Sequence, residues 1–221
     1  MRNAAAAIAV AASAAVLLTA VPAPSFAQEL KGDDDKAIYA LGVLMGRSIG
    51  QFNLTRREQE VLKKGLTDQL NGAKPQVDVE KMQQNIRDLE RNRTAQVSVQ
   101  YLEKASKEKG VEKMQSGLLY KSLKEGAGGS PKASDKVKVH YRGTLTNGTE
   151  FDSSYARGSP AEFPLNGVIP CWTEGVQLMK VGGKAKLVCP SAIAYGERGQ
   201  PPKIPPGATL VFEVELLDIV R

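Results

Sequence analysis

The spacing of hydrophobic residues changes along the chain, and the changes mark its parts. Residues 4–21 are an uncharged run rich in Ala, Val and Leu with no period. Apolar positions then recur at helical spacing as Ile38, Leu41, Leu44, Met45 and Ile49, behind an acidic Asp33-Asp34-Asp35 start that suits a helix N-terminus. Gly42, Gly46 and Gly50 lie four apart on one face of this predicted helix. Each glycine costs about 1 kcal/mol inside a helix, a loss that the close approach of another helix would offset. A second helix is predicted from Thr55-Arg56-Arg57-Glu58, which has the form of a capping box, to Asn71-Gly72.

Residues 78–109 contain neither Gly nor Pro, and 13 of these 32 positions are charged. Val79, Met82, Ile86 and Leu89 begin a helical stripe that thins further on. One helix of that length would reach about 48 Å. Polar on nearly every side, it reads as a solvent-exposed spacer, with a helix packed along one domain as the alternative.

Beyond Gly117 the period falls to two. In Lys136-Val137-Lys138-Val139-His140-Tyr141, the residues Val137, Val139 and Tyr141 share a face opposite His140. Asn147-Gly148 is a hairpin signal, with return through Thr149-Glu150-Phe151. Residues 173–179 suit a short helix, 185–189 a strand and 209–219 a long final strand, with a Gly/Pro-rich loop at 196–207. The fold class is therefore α+β: an antiparallel sheet with a helix against it, preceded by an all-α module and a long connecting helix.

Composition changes this picture at the amino terminus. Arg2 before the apolar run and Ser25-Phe26-Ala27 after it read as a signal peptide over 1–27, in preference to an uncleaved membrane anchor. The chain from Gln28 is then expected in the periplasm without stable membrane insertion; exposure on the outer surface stays open. Residues 28–77 form the helical module, 78–110 the connecting helix and 116–221 the α+β domain. Two short helices bury little alone, so residues 28–77 are expected to form an intertwined homodimer. The net charge of +6 is spread among interleaved acidic and basic residues, which argues against nucleic acid as a partner.

The chain holds a single histidine and two cysteines, which leaves little for a metal cage or a Cys/His nucleophile. Cys171 and Cys189 either form a disulfide in an oxidising compartment or are two small buried hydrophobes. Aromatic residues, in contrast, gather: Tyr141, Phe151, Tyr155, Phe163, Trp172, Tyr195 and Phe212 lie within one part of the chain. Such a cluster without reactive groups points to a lined apolar pocket.

Five segments then occur in order: Val139-His-Tyr-Arg-Gly-Thr-Leu, Gly148-Thr-Glu-Phe-Asp-Ser-Ser, Val168-Ile-Pro-Cys-Trp-Thr-Glu-Gly, Ala194-Tyr-Gly-Glu-Arg-Gly and Ile204-Pro-Pro-Gly-Ala-Thr-Leu-Val-Phe-Glu-Val-Glu-Leu. Together they closely resemble the FKBP-type peptidyl-prolyl cis-trans isomerases. The amino-terminal part, through Leu41-Gly-Val-Leu-Met-Gly, resembles the dimerisation module of the bacterial Mip-like and FkpA-like subgroup.

The resemblance implies a half-barrel sheet wrapped on a short helix, with a proline pocket between them. It puts Trp172 at the pocket floor, with Tyr141, Phe151, Val168, Ile169, Tyr195 and Phe212 as walls; Phe163, Ile204 and Arg157 join the substrate-binding set. Asp152 would sit at the rim, paired with Arg157 and near Tyr141. Tyr141, Asp152 and Tyr195 are the expected catalytic residues, and the Ile169 amide and Tyr195 hydroxyl the expected donors to the peptide. No cofactor or metal is implied. The partners implied are Xaa-Pro polypeptides, with macrolide inhibitors as further ligands. Ala161, Gln200 and Lys203 depart from residues common in the family, which leaves macrolide affinity and the preference for the residue before proline open. The activity implied is rotation about Xaa-Pro bonds in exported proteins; the alternative is a holdase chaperone or host-interaction protein in which isomerisation is incidental.

Overall fold

The computed structural model describes residues 29–220; the signal peptide expected over 1–27 lies outside them. Of the described residues, those through Leu41 form one unit and those from Gly42 onward another. Helix α1 spans Gly32–Ile49 with Asp33, Asp34 and Asp35 in its first turn. Helix α2, Arg56–Leu70, opens with the complete capping box: Thr55 Oγ1 accepts from the Glu58 amide at 3.3 Å, and Glu58 accepts from the Thr55 amide at 2.8 Å. Neither helix buries a residue. Among the described residues no helix is long and apolar enough to cross a membrane.

Helix α3 covers Gln83–Ser106 and is shorter than the expected span of 78–110. Residues 78–82 form turns instead, in which the Asp78 carboxylate accepts from the Lys81 amide and the Met82 amide donates to the Asp78 carbonyl. Nor is α3 a bare spacer. Thr94, Ser98 and Ala105 are buried, and Tyr101 and Leu102 pack with Ala105 against Leu119, Val188 and Val211. This contact stripe is small, polar and aromatic, and for that reason left little hydrophobic signature. Glu108 then pairs with Lys121 and Lys186, beyond the helix end.

Strands β1 (Glu112–Lys113), β2 (Leu119–Lys124), β3 (Lys136–Leu145), β4 (Glu150–Ser153), β5 (Ala161–Pro164), β6 (Lys184–Cys189) and β7 (Leu210–Val220) make one antiparallel sheet. Its order is β1-β2-β6-β7-β3-β4, with β5 also on β3. The sheet thus starts at Glu112, a little before the expected domain boundary at 116. In β3 the side chains of Val137, Val139 and Tyr141 are buried, while His140 lies on the other face, stacked on Tyr155 at 4.6 Å. The Asn147-Gly148 turn closes the β3–β4 hairpin: Gly148 has φ +85°, and the Leu145 amide donates to the Thr149 carbonyl at 2.9 Å. A left-handed residue in so tight a turn favours glycine.

Helix α4, Pro170–Gln177, lies against the inner face of the sheet and buries Cys171, Trp172, Gly175 and Val176. It starts three residues earlier than the spacing predicted, because Pro170 occupies the first helical position, where its missing amide hydrogen costs nothing. Gly175 allows the contact with β6: a Cβ there would come within 2.8 Å of Leu187. Cys171 and Cys189 form a disulfide between α4 and β6, with a Cα separation of 5.7 Å. Closing a loop of this size stabilises a fold by about 3 kcal/mol in the chain-entropy account.

The sheet therefore has two covered faces, α4 inside and the end of α3 outside. Ser98 fixes the outer contact, donating to the Gly207 carbonyl at 3.3 Å and accepting from the Thr209 amide at 3.1 Å. Ser98→Ala would leave that buried amide without an acceptor, an expected loss of about 1–3 kcal/mol. Urea unfolding of the two proteins measures it; an unchanged midpoint would mean that α3 is not held there.

Candidate active site

Between α4 and the sheet lies a cleft of about 480 Å³, lined by Tyr141, Phe151, Asp152, Phe163, Gly167, Val168, Ile169, Trp172, Tyr195 and Phe212. Strand alternation delivers Tyr141 and Phe212 to its inner surface, at positions opposite outward-facing neighbours on β3 and β7. Trp172 reaches it from the first turn of α4. Three rings meet the indole nearly at right angles: Tyr141 at 5.2 Å, Phe212 at 5.4 Å and Phe163 at 5.7 Å between centroids. Phe151 stands edge-on to Phe212 at 5.6 Å. Edge-to-face contacts of this kind satisfy the ring quadrupoles. The indole N–H has no oxygen or nitrogen partner among the described residues.

Asp152 carries the only carboxyl group among the described residues that line the cleft, and its oxygens are engaged. The Tyr141 hydroxyl donates to Oδ2, and the Arg157 guanidinium donates to Oδ1. Arg157 Nη2 also donates to the Tyr141 oxygen at 2.8 Å, closing a triangle, and the Ser153 amide donates to Oδ1 at 2.9 Å. Burial opposes ionisation of Asp152, but the hydrogen bonds from Tyr141 and Arg157 and the Arg157 charge outweigh it, so its carboxyl titrates below the usual carboxylate range. Burial pushes both phenols upward, with the hydrogen bond to Asp152 adding to Tyr141 and the Asp152 charge adding to Tyr195. Both therefore keep their protons at neutral pH.

Two donors at the cleft are free among the described residues: neither the Ile169 amide nor the Tyr195 hydroxyl has a hydrogen-bond partner. Ile169 is the cap of α4, in extended conformation ahead of Pro170 at the first helical position, and it lines the cleft.

Nine of the residues singled out from the sequence thus line one cleft. Arg157 stands beside it, bound to Asp152 and Tyr141. Ile204 does not share in the lining: it is buried in the core. Its backbone pairs with Gln200, at 2.8 and 3.0 Å, and its side chain is 2% exposed in the cluster that also holds Tyr141, Trp172 and Phe212. Three further residues shape the site without announcing themselves in the sequence. Gly167 lines the cleft. Gly143 makes room for its walls, since a Cβ there would lie 2.7 Å from Phe151 and 2.9 Å from Phe212. Ser154, fully buried, accepts from the Tyr141 amide at 2.8 Å and donates to the Tyr141 carbonyl at 3.2 Å, holding the turn after β4 against β3. Gly143 and Ser154 stood within the quoted motifs, but only the packing gives them a purpose.

Residues 128–217 match the family model for FKBP-type peptidyl-prolyl cis-trans isomerases, and residues 34–121 match that for the domain amino-terminal to such isomerases. An FKBP-type 22 kDa peptidyl-prolyl cis-trans isomerase of Escherichia coli is 43% identical over 84% of this chain and 95% of its own length. The chain belongs to the FKBP-type peptidyl-prolyl cis-trans isomerases. It is an enzyme of that class. The peptidyl-prolyl cis-trans isomerase Mip of Coxiella burnetii is 37% identical over 88% of this chain and 90% of its own. Among solved structures, the crystal structure of FkpA from Escherichia coli superimposes with a TM-score of 0.58 at 39% identity, covering 86% of this chain and 98% of that one.

The triangle has a measurable consequence. A carboxyl whose folded-state pKa is depressed stabilises the fold fully above its unfolded value, about 4, and that stabilisation is lost as pH falls through the lower folded value. Tyr141→Phe removes one of the bonds that depress Asp152, so its carboxyl should titrate at a higher pH and the acid limb of unfolding should move up with it. NMR titration of the Asp152 carboxyl carbon checks this. A titration unmoved by Tyr141→Phe would mean that the phenol contributes nothing to the ionised state.

Proposed function

We propose that this isomerase binds the proline of an Xaa-Pro segment in the cleft over Trp172, and that it assists the folding of exported proteins in the periplasm. The observation that carries the reading is the cleft itself: apolar and aromatic on nearly every side, with its one carboxylate already bound on both oxygens. Such a site has neither a free nucleophile nor a free base, and amide rotation needs none.

Rotation about an amide meets a barrier of about 18–20 kcal/mol because resonance gives the C–N bond double-bond character. The twisted amide has lost that resonance and its charge separation, and is less polar than the planar form. An apolar, water-poor surface therefore favours it over the ground state. The floor is Trp172; Tyr141, Phe151, Phe163, Val168 and Phe212 are the walls. The Ile169 amide and the Tyr195 hydroxyl, both unpartnered, hold the peptide on either side of the rotating bond. Asp152 and Arg157 fix Tyr141 and keep the rim rigid. A barrier lowered by about 7 kcal/mol would accelerate exchange on the order of 10⁵-fold.

The amino-terminal helices support a homodimer. Ile38, Leu41, Leu44 and Met45 of α1 and Val61, Leu62, Leu66 and Leu70 of α2 are exposed large hydrophobics, more than isolated helices leave in water. A second copy of the same module is the cover that the resemblance implies. Two clefts on one dimer would engage one unfolded client at two prolines and raise the effective concentration of the second.

Two experiments test this. In NMR exchange on an Xaa-Pro peptide, the protein should accelerate isomerisation, and Asp152→Ala and Tyr141→Ala should each lower kcat/KM by about tenfold, equivalent to about 1.4 kcal/mol of transition-state stabilisation. No acceleration by the unaltered protein would refute the reading, and full isomerase loss without loss of folding assistance would shift the function to the helical module. In sedimentation equilibrium the protein should run at twice its chain mass, and Leu44→Lys with Leu66→Lys should return it to one. A monomer at all concentrations would end the dimer proposal.

A further inference from the structure

Beside the proline cleft lies a second groove of about 230 Å³, whose lining includes Arg47, Gln51, Asn147, Glu150, Phe151 and Lys203. Phe151 belongs to the lining of both spaces, so the groove adjoins the cleft at this residue. The charges there are not balanced. Glu150 is tied to Arg142 at 2.8 Å, and Asp152 is tied to Arg157. Neither Arg47 nor Lys203 forms an ion pair among the described residues. Lys203 is nevertheless held in place: its ammonium donates to the Phe151 carbonyl at 3.2 Å. That bond uses one of three N–H donors and leaves two free beside the mouth of the cleft.

We propose that Lys203, with Arg47 across the groove, makes this enzyme select an acidic residue immediately before the proline. The inference rests on the proline-binding reading of the cleft and adds the substrate class to it. The residue before a proline is confined to extended conformations, so its side chain cannot fold back over the proline ring and leaves over the rim. Phe151 lines the cleft and its own carbonyl holds the Lys203 ammonium at 3.2 Å, so the cation is attached to the backbone of a cleft-wall residue. A carboxylate there meets two cations and no unpaired anion; a lysine meets like charge. The loop that carries Lys203 is the stretch Gln200–Ile204, pinned to itself by the Gln200–Ile204 pair, so the ammonium is presented from a fixed turn.

The test uses the full chain and three peptides, Ala-Glu-Pro-Phe, Ala-Gln-Pro-Phe and Ala-Lys-Pro-Phe, with exchange read by NMR. Exposed charge pairs are weak, so kcat/KM is expected to fall about threefold from Glu to Gln and again from Gln to Lys. The order should flatten in 1 M salt, where the screening length is about 3 Å. Lys203→Gln should shrink the Glu-to-Lys ratio, and Lys203→Glu should invert it. Arg47→Gln should shrink it further. Equal rates on all three peptides, or a ratio unchanged by Lys203→Glu, would overturn the inference while leaving proline binding in place. A matching preference at the residue after proline, in Ala-Ala-Pro-Glu against Ala-Ala-Pro-Lys, would overturn the assigned position. Failure to accelerate any peptide would overturn both this inference and the reading on which it rests.

Discussion

Everything in the carboxy-terminal domain is arranged around one indole. Trp172 sits in the first turn of α4, and the rings of Tyr141, Phe163 and Phe212, from three neighbouring strands, stand nearly perpendicular to it with centroids 5.2–5.7 Å away. Those contacts join helix to sheet, and they leave the space above the indole as a cleft instead of filling it. The cost of keeping an apolar hollow open is met by rigid parts: large rings with few torsions, a helix tied by the disulfide to β6, and a turn bound through Ser154 to the backbone of Tyr141. If the cleft binds proline as proposed, favouring a less polar, twisted amide would need that rigidity, because a wall that relaxed around the planar ground state would lose the discrimination.

The same arrangement explains the state of its charged groups. A single carboxylate at an apolar rim is tolerable only when paired, and Asp152 is bound by Tyr141 and Arg157 together. The pairing engages both carboxylate oxygens, and in the proposed function Asp152 serves to fix Tyr141 and not as a base. The phenols of Tyr141 and Tyr195 stay protonated because burial, with Asp152 beside them, disfavours their charged forms. On the outside of the sheet the logic differs: α3 is anchored by Ser98, Ala105 and the Glu108 ion pairs, contacts suited to a surface in partial contact with water.

How much of this was legible beforehand varies with the physics of each element. Period-two alternation in β3 assigned Tyr141 to the core face and His140 to the other, because strand parity leaves no third option. The capping box at Thr55 and the Asn147-Gly148 turn were equally plain, as each needs particular residues. The docking of α3 stood only as the alternative to an exposed spacer: Ser98, Tyr101, Leu102 and Ala105 make the contact, a stripe too mixed in polarity to mark itself by hydrophobicity. The start of α4 was misplaced because Pro170 reads as a breaker unless its position in the first turn is considered. Among the site residues, the aromatic walls were visible as a cluster, whereas Ile204 was turned into the core by a local pairing with Gln200 that only the backbone reveals. Gly143 carries no chemistry at all and is needed solely because two rings pass where a Cβ would be.

Trp172 is the only tryptophan in the chain, so its indole reports on the cleft without interference. The most direct measurement is a titration of the protein with an Xaa-Pro peptide, followed by Trp172 fluorescence and by the NMR shifts of its indole N–H and of the Ile169 amide. The account expects all three signals to change along one saturation curve, with the same affinity that governs the accelerated exchange of the peptide. Accelerated exchange with an unperturbed Trp172, or shifts confined to the helices α1 and α2, would contradict it.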